Sequence, residues 1–159
     1  MQLDKQQIEV LGRNMVTNQL LREGIEVAEP VRDRGVDLIA YLPKENGERF
    51  RARPLQLKVA SDRDFSVYTK YEEFSDMVVV YVWRVAYDDG PEIYALTTRE
   101  TLEVAEQRGW TETNTWKRDG RYNDTKVTGP TQEAVDPYRV ERGEWRTKLF
   151  SPPTSDATS

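Results

Sequence analysis

Three polar side chains lie in otherwise apolar stretches of the chain, and their types are those that bind a metal ion and a phosphate. Asp37 lies within the apolar run Val36–Tyr41, and Gln56 and Lys58 alternate with apolar residues between positions 55 and 59. Side chains alternate along a strand, so Gln56 and Lys58 are expected on one face and their apolar neighbours on the other. An ionised carboxylate inside an apolar strand is costly unless it has a partner or binds a cation. The pattern therefore predicts a carboxylate, an amide oxygen and an ammonium on one polar face.

A group of this kind suits the hydrolysis of a phosphodiester. A carboxylate and a neutral oxygen can anchor Mg²⁺, which polarises the scissile phosphate and lowers the pKa of a bound water. The ammonium of Lys58 would stabilise the developing negative charge or help to orient the attacking water. The alternative is that Asp37 and Lys58 form a plain ion pair on the sheet, with Gln56 as a solvated neighbour.

The composition restricts the chemistry further. The 159 residues include no His and no Cys, which excludes Ser-His-Asp and Cys-His catalysis, thiolate zinc sites and disulfides. A metal ion must therefore be held by oxygen ligands, which favours Mg²⁺, Mn²⁺ or Ca²⁺. The formal net charge of −5 excludes a globally basic nucleic-acid-binding protein. The polar N-terminal segment and the lack of an apolar run of membrane-spanning length indicate a soluble, cytoplasmic protein without membrane contact.

The elements that must position these side chains follow from hydrophobic periodicity and turn residues. One helix is predicted over Leu3–Glu23 and ends at Gly24, and another over Thr98–Arg108 begins with a capping box at Thr97. A tight turn is predicted at Asn46–Gly47. The predicted strands are Ile25–Glu29, Val36–Tyr41, Phe50–Val59, Met77–Trp83 and Glu92–Leu96. This order of helix, strand, hairpin, strand, strand and helix predicts an α/β fold with a mixed sheet.

The remaining segments have weaker patterns. Residues 68–74 are compatible with a helix or irregular chain, residues 110–130 with a small hairpin or an ordered loop, and residues 137–150 with a short docked element. Aromatic residues in these segments favour packing, with stacking on bases as the alternative. These aromatic residues are Trp110, Trp116, Tyr122, Tyr138 and Trp145. A non-catalytic module whose aromatic second half binds a protein partner is the competing interpretation of the whole chain.

The chain length is that of one domain. We expect this domain over residues 1–150, with a core at about 5–109 and an aromatic-rich extension at 110–150. The Pro- and Ser-containing residues 151–159 are expected to form a disordered tail.

Three segments together resemble the PD-(D/E)XK nuclease superfamily: Gly12–Gly24, Val31–Ala40 and Pro54–Lys58. The first half of the chain is most similar to the small branch near archaeal Holliday-junction resolvases and restriction-like endonucleases. The resemblance implies a restriction-endonuclease-like fold, in which a mixed β-sheet is flanked by helices. It also implies a DNA endonuclease that depends on Mg²⁺ or Mn²⁺. In that superfamily a helix glutamate, a strand aspartate and a Glu-or-Gln-x-Lys motif surround the metal.

Matched residue by residue, the resemblance implies catalytic roles for Asp37, Gln56 and Lys58, with Asp37 and Gln56 as metal ligands. The helix glutamate falls on Arg13, which cannot bind a cation, and Glu9 one turn earlier is the candidate substitute. Gln56 replaces the commoner Glu, so Mg²⁺ affinity is expected to be low unless phosphate oxygens complete the coordination. A catalytically inactive module that binds nucleic acid or a protein partner is therefore the alternative to an active endonuclease.

Contact with DNA needs a positive surface, and the candidate contacts are Arg13, Arg34, Arg51, Arg53 and Arg63. Residues 49–63 carry five basic side chains and one acidic side chain, a small patch that predicts weak and strongly salt-dependent DNA binding. The alternative is a solvated edge strand whose charges prevent aggregation. A homodimer would match two symmetric sites to the two strands of a duplex.

Overall fold

The computed structural model describes residues 2–44 and 49–151, which are built around a five-stranded mixed sheet. The strands are β1 (Glu26–Ala28), β2 (Leu38–Leu42), β3 (Arg51–Val59), β4 (Phe65–Tyr68), β5 (Val78–Trp83), β6 (Glu92–Thr97) and β7 (Arg121–Asp124). The main sheet has the order β1-β2-β3-β5-β6, in which β3 and β5 are parallel and the other neighbours antiparallel. Strands β4 and β7 form a separate antiparallel pair. The predicted α/β class with a mixed sheet is confirmed.

Helices flank both faces of this sheet. They are α1 (Lys5–Arg22), α2 (Thr98–Gln107), α3 (Asn114–Asp119), α4 (Gly129–Val135) and α5 (Trp145–Phe150), with 3₁₀ helices at Thr69–Glu73, Trp110–Glu112 and Asp136–Tyr138. Helix α1 begins at a capping box in which the Asp4 carboxylate accepts a 2.9 Å hydrogen bond from the amide of Gln7. It ends before Gly24, whose φ of 75° reverses the chain. Helix α2 starts at the capping box predicted at Thr97.

Strand β5 separates two hydrophobic clusters, because every one of its residues is buried and successive residues face opposite sides. Its even-numbered residues pack with α1 and α5, and its odd-numbered residues pack with α2 and α4. The strand predicted at Met77–Trp83 is present, and its nearly continuous apolar sequence is typical of a strand covered on both faces. Trp145 belongs to the first cluster and Trp110 to the second, so these two aromatic residues of the extension pack inside the protein.

Strand β4 was not predicted, and its pairing changes the interpretation of residues 110–130. β4 pairs with β7 in a register that sets Val67 opposite Tyr122. The segment 110–130 is therefore neither a local hairpin nor a loop, since it supplies two helical turns and one strand of a long-range pair. A strand of four residues is too short for its alternation of apolar and polar residues to stand out in a sequence. Its partner strand is also distant along the chain. Residues 69–73, whose sequence is compatible with a helix or with irregular chain, form a 3₁₀ helix.

Some expectations lie outside the described residues, namely the turn at Asn46–Gly47 and the tail beyond Ser151. Within the described ranges, the helices are too short or too polar to pass through a bilayer.

Candidate functional site

Asp37 lies immediately before β2, not inside the strand as the sequence suggested. Its amide donates to the carbonyl oxygen of Leu55 at 2.9 Å, and its Oδ2 accepts a 2.7 Å hydrogen bond from the amide of Leu57. The regular ladder between β2 and β3 starts one residue later, with Leu38 opposite Leu55. The carboxylate thus takes the place of a backbone acceptor at the end of the ladder, which satisfies a charged group beside apolar residues.

An open cavity of about 420 Å³ lies next to this carboxylate. Asp37, Lys58, Arg13 and Glu9 line it, although they come from three separate segments of the chain. The other polar residues that line it are Lys5, Asp33, Asp64, Ser66, Tyr68 and Asn123. The fold therefore brings together four residues that the sequence analysis selected.

Helix α1 contributes one wall of the cavity by packing closely against β3. A Cβ atom at Gly12 would lie 2.6 Å from Val59 Cγ2, so this approach requires glycine. Lys5, Glu9 and Arg13 are spaced by four residues and therefore lie along one edge of the helix. Glu9 and Lys5 form an exposed pair at 3.8 Å, whereas the buried Nε of Arg13 has no hydrogen-bond partner among the described residues. The Arg13 guanidinium is thus held at the cavity without a committed carboxylate.

Lys58 reaches the cavity from β3 and is oriented by an aromatic ring. Its Nζ lies 5.0 Å from the ring centre of Tyr68, and Lys70 Nζ lies at the same distance from that ring. Within the described ranges, no carboxylate pairs with Lys58. The alternative of a simple ion pair between Asp37 and Lys58 is therefore not what the fold forms.

Asp64 is a cavity residue that the sequence analysis did not select. Burial raises the pKa of its carboxyl group, the charge of Asp124 raises it further, and Lys58 opposes both effects. The Asp64 carbonyl oxygen accepts a 2.6 Å hydrogen bond from the Trp83 indole, which fixes the backbone there. The place of Asp64 directly before the buried Phe65 was the one available signal.

Gln56 lies two residues before Lys58 on β3 but lines a different cavity. This second cavity has a volume of about 200 Å³, and its other lining residues are Arg34, Gly35, Lys70, Tyr71, Phe74 and Met77. The predicted convergence of three side chains is thus met by Asp37 and Lys58 only. The Asp37 carboxylate is held by the hydrogen bond from Leu57, one residue before Lys58 on the strand.

Of the candidate DNA-contacting arginines on β3, Arg51 packs against the C-terminal helix and Arg53 lines a cavity near it. Arg51 Nη1 donates a 3.0 Å hydrogen bond to the carbonyl oxygen of Phe150. The Arg51 guanidinium also lies 5.7 Å from the centre of the Phe150 ring. Arg53 lines a third cavity together with Lys148 of α5. Both arginines occupy odd-numbered positions of β3, so their side chains leave the strand on the face opposite to Lys58.

The basic patch predicted over residues 49–63 is therefore not continuous. Arg63 forms two hydrogen bonds of 2.6 and 2.9 Å with Glu92, and this pairing lowers the pKa of the Glu92 carboxyl. Arg34 lies at the second cavity and Arg13 at the first. The cationic groups that remain near the candidate site are those of these two cavities.

Asp37 is the residue of the first cavity that could hold a Mg²⁺ ion. Four carboxylates line it against three basic side chains, so its formal charge is negative before an ion binds. Throughout the described part of the chain, no three acidic side chains are grouped closely enough to hold an ion together. Mg²⁺ commonly binds through one or two carboxylates and completes its shell with waters and substrate phosphates. The donor set therefore suits an ion that binds together with a phosphate.

Comparisons with protein-family models, with curated proteins and with solved structures each found no match to this chain. The resemblance to the nuclease superfamily accordingly depends on the sequence motifs.

Proposed function

We propose that the protein is a Mg²⁺-dependent endonuclease of the PD-(D/E)XK type that hydrolyses phosphodiester bonds of DNA. The observation that carries the proposal is the convergence of Asp37, Lys58 and Arg13 on one open cavity of about 420 Å³. Phosphoryl transfer requires chiefly positioning and stabilisation of charge, and a carboxylate, an ammonium and a guanidinium supply both.

Each of these residues has a role that follows from its contacts. Asp37 would hold the ion, and its Oδ1 is the carboxylate oxygen that the hydrogen bond from Leu57 leaves available. A Mg²⁺ ion there would polarise the phosphate and make a water more acidic. Arg13 binds a non-bridging phosphate oxygen, and Lys58 stabilises the negative charge of the pentavalent transition state. Asp64, whose pKa is raised, accepts the proton of the attacking water.

A second candidate is a catalytically inactive relative that binds nucleic acid. It is favoured by the separation of Gln56 from Asp37, which leaves the first cavity with one oxygen ligand fewer than the motif implies. Arg13 in the place of the helix glutamate also makes the cavity a better phosphate site and a poorer ion site. In this case the same cavity binds a phosphate of DNA without cutting it.

One pair of assays separates these candidates. Plasmid and branched DNA are incubated with the protein and Mg²⁺ or Mn²⁺, and DNA binding is followed by gel shift at low salt. The endonuclease predicts cleavage that is lost in Asp37→Ala and in Lys58→Ala but kept in Asp76→Ala and Lys117→Ala, which change exposed residues outside the cavity. A gel shift without cleavage favours the binding module. Cleavage that persists in both cavity variants, or the absence of both cleavage and binding, contradicts the endonuclease.

The proposal includes a cytoplasmic location and a homodimer, as expected from the sequence. Two symmetric copies would present one cavity to each strand of a duplex. Sedimentation of the protein with a short duplex tests this part, since two protomers per duplex are expected and one protomer per duplex would contradict it.

A further inference from the structure

The second cavity has no role in the chemistry proposed above. It shares no lining residue with the first, but its Arg34 and Gln56 directly neighbour Asp33 and Leu57 of the first cavity in the sequence. Its volume of about 200 Å³ is below the usual ~300–1,000 Å³ of sites for larger ligands and suits one small ring system. Tyr71, Phe74 and Met77 provide mostly apolar walls, and Arg34 and Lys70 provide positive charge. An uncharged, flat group attached to an anion is the ligand that such a lining matches.

The cavity also contains buried polar groups that lack partners. Gln56 Oε1 and the hydroxyl of Tyr71 are both buried, and neither has a hydrogen-bond partner among the described residues. A buried polar group without a partner costs free energy, so these two atoms favour a ligand that supplies the missing hydrogen bonds. An amide and a phenol together offer donors and an acceptor, which the edge of a nucleobase can match.

We propose that this cavity binds one unstacked nucleobase of the nucleic acid whose phosphate occupies the first cavity. The inference rests on the proposed function, which places a phosphate of the nucleic acid in the first cavity, and it adds the recognition of a base by the second cavity. Gln56 and Tyr71 bind the edge of the base, while Phe74 and Met77 contact its face. Enzymes that take a base out of the stack use this combination of edge hydrogen bonds and aromatic or apolar contacts.

The positions of the two cavities along β3 support the pairing of base and phosphate. Gln56 and Lys58 are two residues apart on one face of the strand, a separation of about 7 Å. This length is comparable to the distance between the phosphate and the base of one nucleotide. Lys70 links the two sites, because it lines the second cavity and its Nζ lies 5.0 Å from the ring centre of Tyr68 in the first.

The preferred substrate is therefore DNA in which a base is unpaired or easily unpaired, such as a single strand, a mismatch or a branch point. Moving a base out of the stack costs the least free energy at such positions.

Titration with small probes tests the base site without any cleavage. The probes are the four deoxynucleoside 5′-monophosphates and 2-deoxyribose 5-phosphate, added to the protein with Mg²⁺ and followed by NMR. At least one nucleotide is expected to bind about tenfold more tightly than the sugar phosphate, since stacking on aromatic side chains contributes on that scale. Gln56→Leu and Phe74→Ala should remove this advantage and leave the affinity for the sugar phosphate unchanged.

Matched variants control for nonspecific effects. Gln107→Leu and Phe50→Ala change an exposed glutamine and an exposed phenylalanine that lie outside the cavity, and both should keep the advantage. Equal affinity for every nucleotide and the sugar phosphate would show a cavity filled by water only and would overturn the proposal. An advantage that survives Gln56→Leu and Phe74→Ala would overturn it as well.

The result is separable from the fate of the endonuclease. A base advantage without Mg²⁺-dependent cleavage keeps the base site and removes the catalytic function. Cleavage without a base advantage keeps the catalytic function and removes the base site.

Discussion

The amide of Leu57 donates a hydrogen bond to the carboxylate of Asp37, and this bond joins the segment before β2 to the strand that carries Lys58. The bond occupies one carboxylate oxygen of Asp37. Asp37 shares a cavity with Lys58, whereas Gln56 lines another cavity. The predictions below test this arrangement and the elements around it.

Arg13 is expected to contact a DNA phosphate, whereas Arg51 is committed to the C-terminal helix. Arg13→Ala should weaken binding to all DNA sequences and reduce the slope of log K against log salt by about 0.9, the contribution of one phosphate contact. Arg51→Ala is the matched control, because Arg51 Nη1 is bonded to the carbonyl oxygen of Phe150. Fluorescence anisotropy between low and moderate salt provides the measurement. An unchanged slope in Arg13→Ala, or an equal loss in Arg51→Ala, would contradict the assignment.

Gly12 permits the close approach of α1 to β3, and a side chain there should force them apart. Gly12→Ala should lower the free energy of unfolding by about 1–2 kcal/mol, because the strain of overpacking exceeds the ~1 kcal/mol that alanine gains in helix propensity. Asn14→Ala, at an exposed position of the same helix, should be neutral or slightly stabilising. Urea denaturation measures both variants. A stabilising effect of Gly12→Ala would show that the contact with Val59 does not limit the approach.

The ionised carboxylate of Asp64 should lower the free energy of unfolding at neutral pH, although the same group supports activity. Its pKa is raised in the folded protein above the ordinary value of 3.8, so folding favours the protonated form and stability falls as the pH rises through the raised pKa. Asp64→Asn should therefore increase the free energy of unfolding at pH 7, and the gain should vanish below pH 3.8, where the acid is protonated in both states.

Denaturation at pH 7 and below pH 3.8 measures the change in the free energy of unfolding, and Asp76→Asn is the control at an exposed position. Cleavage by Asp64→Asn should fall if Asp64 accepts the proton of water. A variant that is destabilised at pH 7 would mean that the charge of Asp64 is favourable in the folded protein.

The main sheet was predictable because its signals are local. The continuous apolar run that became β5 indicates a strand covered on both faces, and the Thr97 capping box marks the start of α2. Asp37 and Lys58 were identifiable from the conflict between their charge and their apolar surroundings.

The parts that were not predictable depend on contacts between distant segments. The pairing of β4 with β7 places Tyr68 beside Lys58, and neither short strand has a distinctive period. Asp37 and Gln56 line different cavities, and the Asp37 carboxylate is bonded to a backbone amide at the end of a ladder, which residue types do not encode. The hydrogen bond from Arg51 to the carbonyl oxygen of Phe150 was not predictable, because its acceptor is a backbone atom of a segment far along the chain.

The most direct measurement is the single-turnover rate at which the protein cleaves an end-labelled branched DNA in Mg²⁺, compared between wild type and Asp37→Asn. Asparagine keeps the size of the side chain and an acceptor for the Leu57 amide but removes the charge that holds the ion. The account predicts cleavage by wild type and a rate at least about a hundredfold lower for Asp37→Asn, as expected when a group that stabilises the transition state is lost. Equal rates for the two proteins would contradict it.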